Sequence, residues 1–571
     1  MNLETLTNTL VTDTVDVSLP LFRPELILCG TIVVLLLLRI LRISPALPPF
    51  WMALAGAVAA LAASLPLDDA SAWNTSEPVE LFTGMLIYDS VTGFMRVFLL
   101  AFAVLFILLS RLTGLADNSD GQDVYTLLLG STIGMCLMAS ANHMMTVFLA
   151  VEMASVPSYV LAGVVKGRRR SSEAALKYAV YGAGAAGVML YGISLLCGVL
   201  GTAHLPTMAT RLVEMNIPQV LADGGGAMVG ALALGGVMLG VGLAFKLSAV
   251  PFHFWCPDVF EGASAEVGGF LSVASKAAAL ALLLRVGLGL GHSPSEMAAA
   301  PEAGGDAVAV QTLGLNESNT PAARAVADSS EESAEALGTP LDPVRKFIVI
   351  LIALVAAVTC TFGNLAAYGQ TNIKRMLAYS TIAHAGYMMM AAAAAVALVG
   401  QDVTLARTAV SGLLLYASFY LFMNLGAFSI VAVLRNAMQS EEIQDYAGLI
   451  RTAPAISVAM VVILFSLVGL PPLAGFIGKF AIFRSLVQAG GPLMIFLLVT
   501  AGLNTAVSLV YYLRVAKVIC IDSEPDTRGT VTVGFLPAAF VLLVALPVLV
   551  FGVIPEWMSD WTVQAASQLL G

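Results

Sequence analysis

Long apolar runs, separated by short polar or charged connections, set the pattern of the chain. They fall at roughly 24–43, 50–66, 88–110, 122–141, 143–165, 173–200, 227–261, 264–290, 346–368, 374–398, 404–434, 453–487, 492–519 and 533–555. A hydrocarbon core of ~30 Å is crossed by about 20 apolar residues in a helix. The pattern therefore predicts an all-α polytopic membrane protein with about 14 transmembrane helices. Two runs are too long for one straight span. The run 227–261 contains Phe245-Lys246-Leu247-Ser248-Ala249-Val250-Pro251-Phe252-His253-Phe254-Trp255, and 453–487 contains Leu470-Pro471-Pro472-Leu473-Ala474-Gly475 followed by Lys479. Proline removes a helical hydrogen bond and clashes with the preceding turn, so both helices are expected to break. Irregular backbone at membrane depth is tolerated only where protein or a water-filled cavity covers it.

The two broken spans lie five spans apart. Five is odd, so spans 4–8 and 9–13 are expected to form two inverted five-helix repeats, each containing a broken helix, an arrangement that points to a transport site near the bilayer midplane. The expected organisation is helices 1–3 over 1–121, the first repeat over 122–290, an acidic external loop over 291–345, the second repeat over 346–519 and a final helix over 520–571. Basic residues mark alternate loops: Arg39 and Arg42, Lys166 with Arg168 to Arg170, Lys374 and Arg375, Arg435 and Arg451, then Arg514 and Lys517. They assign those loops to the cytoplasm and, with an even span count, both termini to the outer side. Residues 1–20 are acidic and polar, without the basic start of a signal peptide, so no cleavage is expected.

Composition narrows the function classes. Charged residues make up only 11% of the chain, and no basic face carries interleaved aromatics, which excludes nucleic acid as a partner. The six cysteines, Cys29, Cys136, Cys197, Cys256, Cys360 and Cys520, are scattered singly, with no spacing suited to a cluster or zinc, so no metal is expected. Gly182-x-Gly184-x-x-Gly187 matches a dinucleotide pattern but sits inside an apolar span, and reads as close helix packing. Between Ser293 and Pro343 nine carboxylates accompany one arginine, Arg324, in an Ala/Ser/Pro-rich stretch expected to be a disordered external loop.

Ionisable residues inside the runs carry the chemistry. Glu152 lies about nine residues into its span, roughly 13 Å deep. Lys177, Lys246, Lys276, Lys479 and His384 all fall within apolar runs, and His253 adjoins the first break. Each has a purely structural alternative. Lys177 could pair with Glu173 at i,i+4, Lys276 and Lys479 could reach for an interface, and Lys246 could hold a carbonyl at the break. Glu152 could be a simple ion-pair partner, and the two histidines satisfied core groups. As a set they read differently, because intramembrane charge by default marks an ion path. Burial makes an amine easier to deprotonate and a nearby carboxylate harder, so a row of lysines at similar depth can serve as a lateral proton wire.

Several stretches carry a resemblance to a known family: Val151-Glu152-Met153-Ala154-Ser155-Val156-Pro157-Ser158-Tyr159, Ala175-Leu176-Lys177-Tyr178, Phe245-Lys246 through Phe260, Ser275-Lys276-Ala277, Gln370 through Ser380, and Gly469-Leu470-Pro471-Pro472 through Phe480. In order and spacing, from about 120 to 520, they resemble the antiporter-like membrane subunits of proton-pumping NADH:quinone oxidoreductase, respiratory complex I. The lysine at 479, where a sibling branch has glutamate, resembles the subunit N branch. The length, and the lack of a long C-terminal lateral helix, speak against the largest sibling. The resemblance implies paired charges Glu152 and Lys177 in a first half-channel, Lys246 as the central protonatable amine, Lys276 as the link across and Lys479 in a second half-channel. It also implies a multi-pass chain of a bacterial inner membrane, without a cofactor of its own, partnered by other membrane subunits of the complex. Quinone, FMN and iron–sulfur clusters would belong to those partners. The alternative is a subunit of a multi-subunit cation/proton antiporter. The acidic loop departs from the family's usual short connection. Replacing residues 297–338 by a short Gly/Ser linker is expected to leave assembly and quinone reduction near normal; loss of the assembled complex on a native gel would show that the loop docks on a neighbour.

Overall fold

The computed structural model describes residues 3–41, 48–65, 77–116, 121–293, 339–525, 528 and 531–569. Residues 294–338, most of the expected acidic loop, lie outside them. The chain is mostly helical. In order, the helices used below are α1 Arg23–Ile40, α2 Pro49–Ser64, α3 Ser90–Leu112, α4 Gly121–Ser140, α5 Met144–Ala162, α6 Arg169–Leu200, α7 Gly226–Leu247, α8 Trp255–Gly262, α9 Ala265–Ser272 and α10 Ala274–Gly291. After the acidic segment come α11 Asp342–Ala367, α12 Ile373–Val399, α13 Val403–Met438, α14 Pro454–Val468, α15 Ala474–Ala489, α16 Gly491–Cys520, α17 Phe535–Val553 and α18 Glu556–Ala566.

Among the described residues, eleven helices are long and apolar enough to cross a membrane, or twelve if Leu10–Leu21 and α1, bent by 79°, form one span. That is fewer than the fourteen expected. The apolar helices α2 and α14 are too short, and α1 carries Arg23, Glu25 and Arg39. Other elements left no signal in the apolar pattern. Helical turns occupy Leu3 to Leu21, an amphipathic helix spans Leu205–Met215, and α18 follows the last apolar helix. The all-α expectation also misses a small antiparallel hairpin, β1 Val79–Leu81 against β2 Leu86–Tyr88.

The centre is formed by α9, α10, α12 and α13, which are buried along nearly their whole length. Lipid is as apolar as leucine, so such helices associate through close packing. Glycine supplies the approach between α11 and α12. A Cβ at Gly363 would come 2.6 Å from the Ala383 nitrogen, and one at Gly386 would come 2.6 Å from the Cys360 nitrogen. The expectation for the other glycine motif holds at one position only. A Cβ at Gly182 would strike Tyr159, whereas Gly184 and Gly187 face open space.

Two buried ion pairs fasten the outer helices, one to this centre and one to each other. Asp89 caps α3 by accepting from the Thr92 nitrogen at 2.9 Å. Its carboxylate also receives both terminal nitrogens of Arg285 at 2.5 Å, while Arg285 donates to the Ala139 carbonyl at 2.8 Å and Thr92 Oγ1 at 2.9 Å. One guanidinium thus joins α10, α3 and α4. Glu25 pairs with Arg96 at 2.6 Å, and Arg96 also donates to the Leu21 carbonyl at 2.9 Å. At the C-terminus, Ser90 donates to the Ala565 carbonyl at 2.7 Å and holds α18 on α3.

Asp89 and Arg285 are buried, so removing one partner strands a charge, at a typical cost of ~3–5 kcal/mol. Arg285→Met is expected to deplete the folded protein strongly, and Asp89→Asn combined with Arg285→Met to recover much of it. Melting temperatures in detergent check this; equal losses in single and double variants would show that the stranded charge is not the cause.

Candidate functional site

The two breaks are built alike. α7 ends with Ser248 in the left-handed conformation, its nitrogen donating to the Phe245 carbonyl and that of Ala249 to the Ala244 carbonyl. α14 ends with Gly469 in the same conformation, its nitrogen donating to the Ser466 carbonyl and that of Leu470 to the Phe465 carbonyl. This is a hydrogen-bonded C-terminal cap of the Schellman type. Pro251 and Pro472 each stand three residues after the left-handed residue. The chain becomes helical again at Trp255 in α8 and at Ala474 in α15.

A cap of this kind leaves the last helical carbonyl without a backbone partner, and in both breaks a buried lysine supplies the donor. Lys276 Nζ donates to the Leu247 carbonyl at 3.0 Å. Lys479 Nζ donates to the Val468 carbonyl at 2.8 Å and lies 4.6 Å above the Tyr387 ring. The first amine arrives from the following span and the second from its own broken span. The third buried amine, Lys246, is one residue before the end of α7 and donates to Ser155 Oγ at 3.0 Å. All three lysines are buried, and none has a carboxylate in ion-pair contact among the described residues. They lie inside the protein, not at an interface, so the reading in which Lys276 and Lys479 reach for the headgroups does not hold. Glu152, half-buried on α5 one turn before Ser155, is within electrostatic reach of Lys246.

His384 lies within electrostatic reach of both Lys276 and Lys479. Its Nδ1 is 2.5 Å from the Tyr416 hydroxyl and its Nε2 is 3.2 Å from that of Tyr512. The Tyr512 hydroxyl is also 2.5 Å from Ser380 Oγ. A second buried hydroxyl cluster links α9 to α12 and α13. Ser272 Oγ is 3.0 Å from Thr381 Oγ1 and 3.2 Å from the Tyr420 hydroxyl, and the Asn424 amide nitrogen lies within hydrogen-bond distance of all three oxygens. His253 lies inside the first break, with its ring against Phe254 and Phe362, within reach of the Lys276 charge.

Lys177 does not join this interior set. The implied Glu152–Lys177 pair is not formed; Lys177 contacts Glu173 at 2.9 Å and Asp258 at 2.7 Å. Arg375 meets the same Asp258 at 2.8 Å and Glu261 at 2.8 Å. These side chains, with Arg170, line a polar cavity of about 230 Å³. The neighbouring Lys374 is buried, pairs with Glu441 at 2.9 Å and donates to the Ala263 carbonyl at 2.7 Å, at the end of α8. The half-helix after the first break is thus clamped by α6 on one side and α12 on the other. Read as loop charges, Lys374 and Arg375 gave no sign of this. The signal was available in Asp258 and Glu261, two carboxylates one turn apart in an otherwise apolar run. The polar side chains of α13 also announced themselves, since Tyr416, Tyr420 and Asn424 recur every four residues on one face.

Fold and site together define a multi-pass membrane protein whose ionisable groups are gathered in its interior around two broken helices. The chain belongs to the family described as NADH:quinone oxidoreductase/Mrp antiporter, transmembrane, whose pattern matches residues 141–299 and 337–504 and so includes both breaks. It is 36% identical over 564 residues to NADH-quinone oxidoreductase subunit N of Anaeromyxobacter sp. (strain Fw109-5), with 96% of each chain covered. It is 34% identical over 565 residues to NADH-quinone oxidoreductase subunit N 2 of Sorangium cellulosum (strain So ce56), covering 97% of this chain and 98% of the other. Among solved structures it is similar to a chain of respiratory complex I from Thermus thermophilus with bound aureothin, with a TM-score of 0.66 and 28% identity over 94% of this chain and 98% of that one.

The clamp has a measurable consequence. Glu173 pairs within one helix, an arrangement worth ~0.3–0.5 kcal/mol, whereas Asp258 joins two helices to α8. Asp258→Ala is expected to lower the melting temperature of the detergent-solubilised protein more than Glu173→Ala does. Equal shifts would mean that the bridge between helices contributes nothing.

Proposed function

We propose that this chain is the proton-translocating subunit N of a bacterial NADH:quinone oxidoreductase. It moves protons from cytoplasm to outside while quinone is reduced elsewhere in the complex. The observation that carries the reading is the interior row of Lys246, Lys276 and Lys479, two of which donate to the last carbonyl of a broken helix. Identity to subunit N over nearly the full chain supports the redox-coupled reading over a multi-subunit cation/proton antiporter. Co-purification with flavin- and iron–sulfur-bearing partners tests that choice, and only small hydrophobic partners would favour the antiporter.

The finer architecture is part of the proposal. Fourteen spans, α2 and α14 included, sit in the bacterial inner membrane with both termini outside. Spans 4–8 and 9–13 form inverted repeats, supported by the matching caps at Ser248 and Gly469. In the first half-channel Glu152 and Ser155 set the proton affinity of Lys246. Lys276 relays across the centre. His384 and Lys479 serve the second half, and His253 lines the first break. Lys177 acts at the polar cavity with Asp258 and Arg375, at the cytoplasmic end. The chain itself supplies amines, imidazole and hydroxyls; redox cofactors and quinone belong to its partner subunits.

Lys246 provides the decisive test. If it only holds Ser155, a permanent positive charge suffices and Lys246→Arg is tolerated. If it carries a proton it must release it in each cycle, which arginine, with a pKa above about 12, does not do. Lys246→Arg is therefore expected to abolish NADH-driven proton uptake by inside-out vesicles nearly as completely as Lys246→Ala, with both variants assembled on native gels. Glu152→Gln should be milder, and Glu152→Asp milder still. Wild-type uptake in Lys246→Arg would leave the lysine a purely structural role.

A further inference from the structure

His384 has a hydroxyl on each side, and the two tyrosines come from different helices: Tyr416 from α13 and Tyr512 from α16. A neutral imidazole donates from one nitrogen and accepts at the other. With Tyr416 donating to Nδ1, Nε2–H donates to Tyr512 and Tyr512 donates to Ser380. With the order reversed, Ser380 donates to Tyr512, Tyr512 to Nε2, and Nδ1–H to Tyr416. Both orders satisfy every member, so the set has two polarities of one hydrogen-bonded chain. Its two ends point to different places. Ser380 lies one helical turn from His384 toward the basic end of α12, near Lys374 and Arg375. Tyr416 packs on α15 beside the second break: a Cβ at Gly478 would fall 2.3 Å from its ring, and Gly478 precedes Lys479. The absence of a side chain at Gly478 lets the tyrosine lie against the helix that carries the amine.

We propose that Tyr416 and Tyr512 are direct proton carriers on either side of His384, forming a wire from Ser380 to the neighbourhood of Lys479. The inference rests on the proton-translocating reading above and adds to it two residues and a route. A proton arriving at Tyr512 is taken on its oxygen while its own proton passes to Nε2. The imidazole releases the proton on Nδ1 to Tyr416, whose original proton moves on toward a deprotonated Lys479. Each hydroxyl is neutral before and after, the imidazole ends as the opposite tautomer, and rotation of the hydroxyls resets the chain. Neither tyrosine needs to ionise, which suits residues wholly enclosed in apolar helices.

Phenylalanine separates this role from packing, because it keeps each ring and removes only the oxygen. In the assembled complex in inside-out vesicles, Tyr416→Phe and Tyr512→Phe are each expected to lower NADH-driven proton uptake about tenfold or more, the order of loss when a positioned proton-transfer group is removed. Tyr368→Phe is the control. Its ring adjoins Tyr511 but its hydroxyl donates to the Val507 carbonyl at 2.7 Å and bonds no member of the wire, and uptake should stay near wild type. Should Tyr416→Phe fail to assemble, Tyr512→Phe decides, since the wire needs both hydroxyls. Wild-type uptake in either assembled variant, or an equal loss in Tyr368→Phe, would overturn the wire. Failure is distinguishable from failure of the underlying reading: an inactive Lys246→Arg beside an active Tyr416→Phe removes the wire alone.

Discussion

The interaction on which the site depends is a lysine amine donating to the last carbonyl of an interrupted helix. A helix that stops at membrane depth leaves carbonyls without partners and concentrates partial negative charge at its end. Water is not on hand to satisfy them, so the protein must. Lys276 on Leu247 and Lys479 on Val468 meet that need, and the same need explains why amines tolerate such surroundings. The coupling runs both ways. A protonated amine favours the closed contact with the carbonyl. A neutral amine donates more weakly, so the geometry of the break and the charge state of the lysine are linked without a carboxylate in contact. In the proposed cycle this linkage lets a small displacement at a break act on a proton, and a proton on the break.

Everything around the breaks limits that displacement. α8 is fixed by Lys177 and Arg375 on Asp258 and by Lys374 on its terminal carbonyl. Arg285 and Arg96 draw α10 and α3 against their neighbours through buried carboxylates. Between these anchors α11 and α12 touch through glycine, with little room for sliding at Gly363 and Gly386. Hydrophobic burial contributes little to helix association in lipid. Polar clamps and close backbone approach therefore carry the specificity that an apolar core supplies in a soluble protein.

Much of this could be read from the chain. Run length and proline positions together located both breaks, because Pro251 and Pro472 each remove a helical hydrogen bond within a run too long for one span. Lysines in apolar surroundings stood out because they are expensive there. Partnership was less legible. Glu152 and Lys177 are implied as a pair by family resemblance, yet Lys177 reaches Asp258, 81 positions away, and nothing in local periodicity specifies that contact. Asp89 and Arg285 lie 196 positions apart, near the ends of their helices, and look like ordinary boundary charges until the helices meet. The number of spans is less legible for a related reason. α2 and α14 are apolar but short, and composition cannot separate a short span from a helix that ends within the protein.

The two breaks share a cap but not a chemistry, and the difference is informative. The residue two before the left-handed cap is Lys246 in the first break and Leu467 in the second. Where the first break holds an amine near a carboxylate and a serine, the second faces an imidazole enclosed by tyrosines. A carboxylate tunes an amine by charge, over several ångströms and with little demand on geometry. A histidine–tyrosine chain works by directed hydrogen bonds and fails once one oxygen is out of line. The first half is thus suited to sensing charge, including charge brought near the half-buried Glu152 from outside the chain. The second is suited to passing a proton along a fixed line. On the proposed function, that division lets an electrostatic signal enter at one end of the row of lysines and a positioned proton transfer complete it at the other.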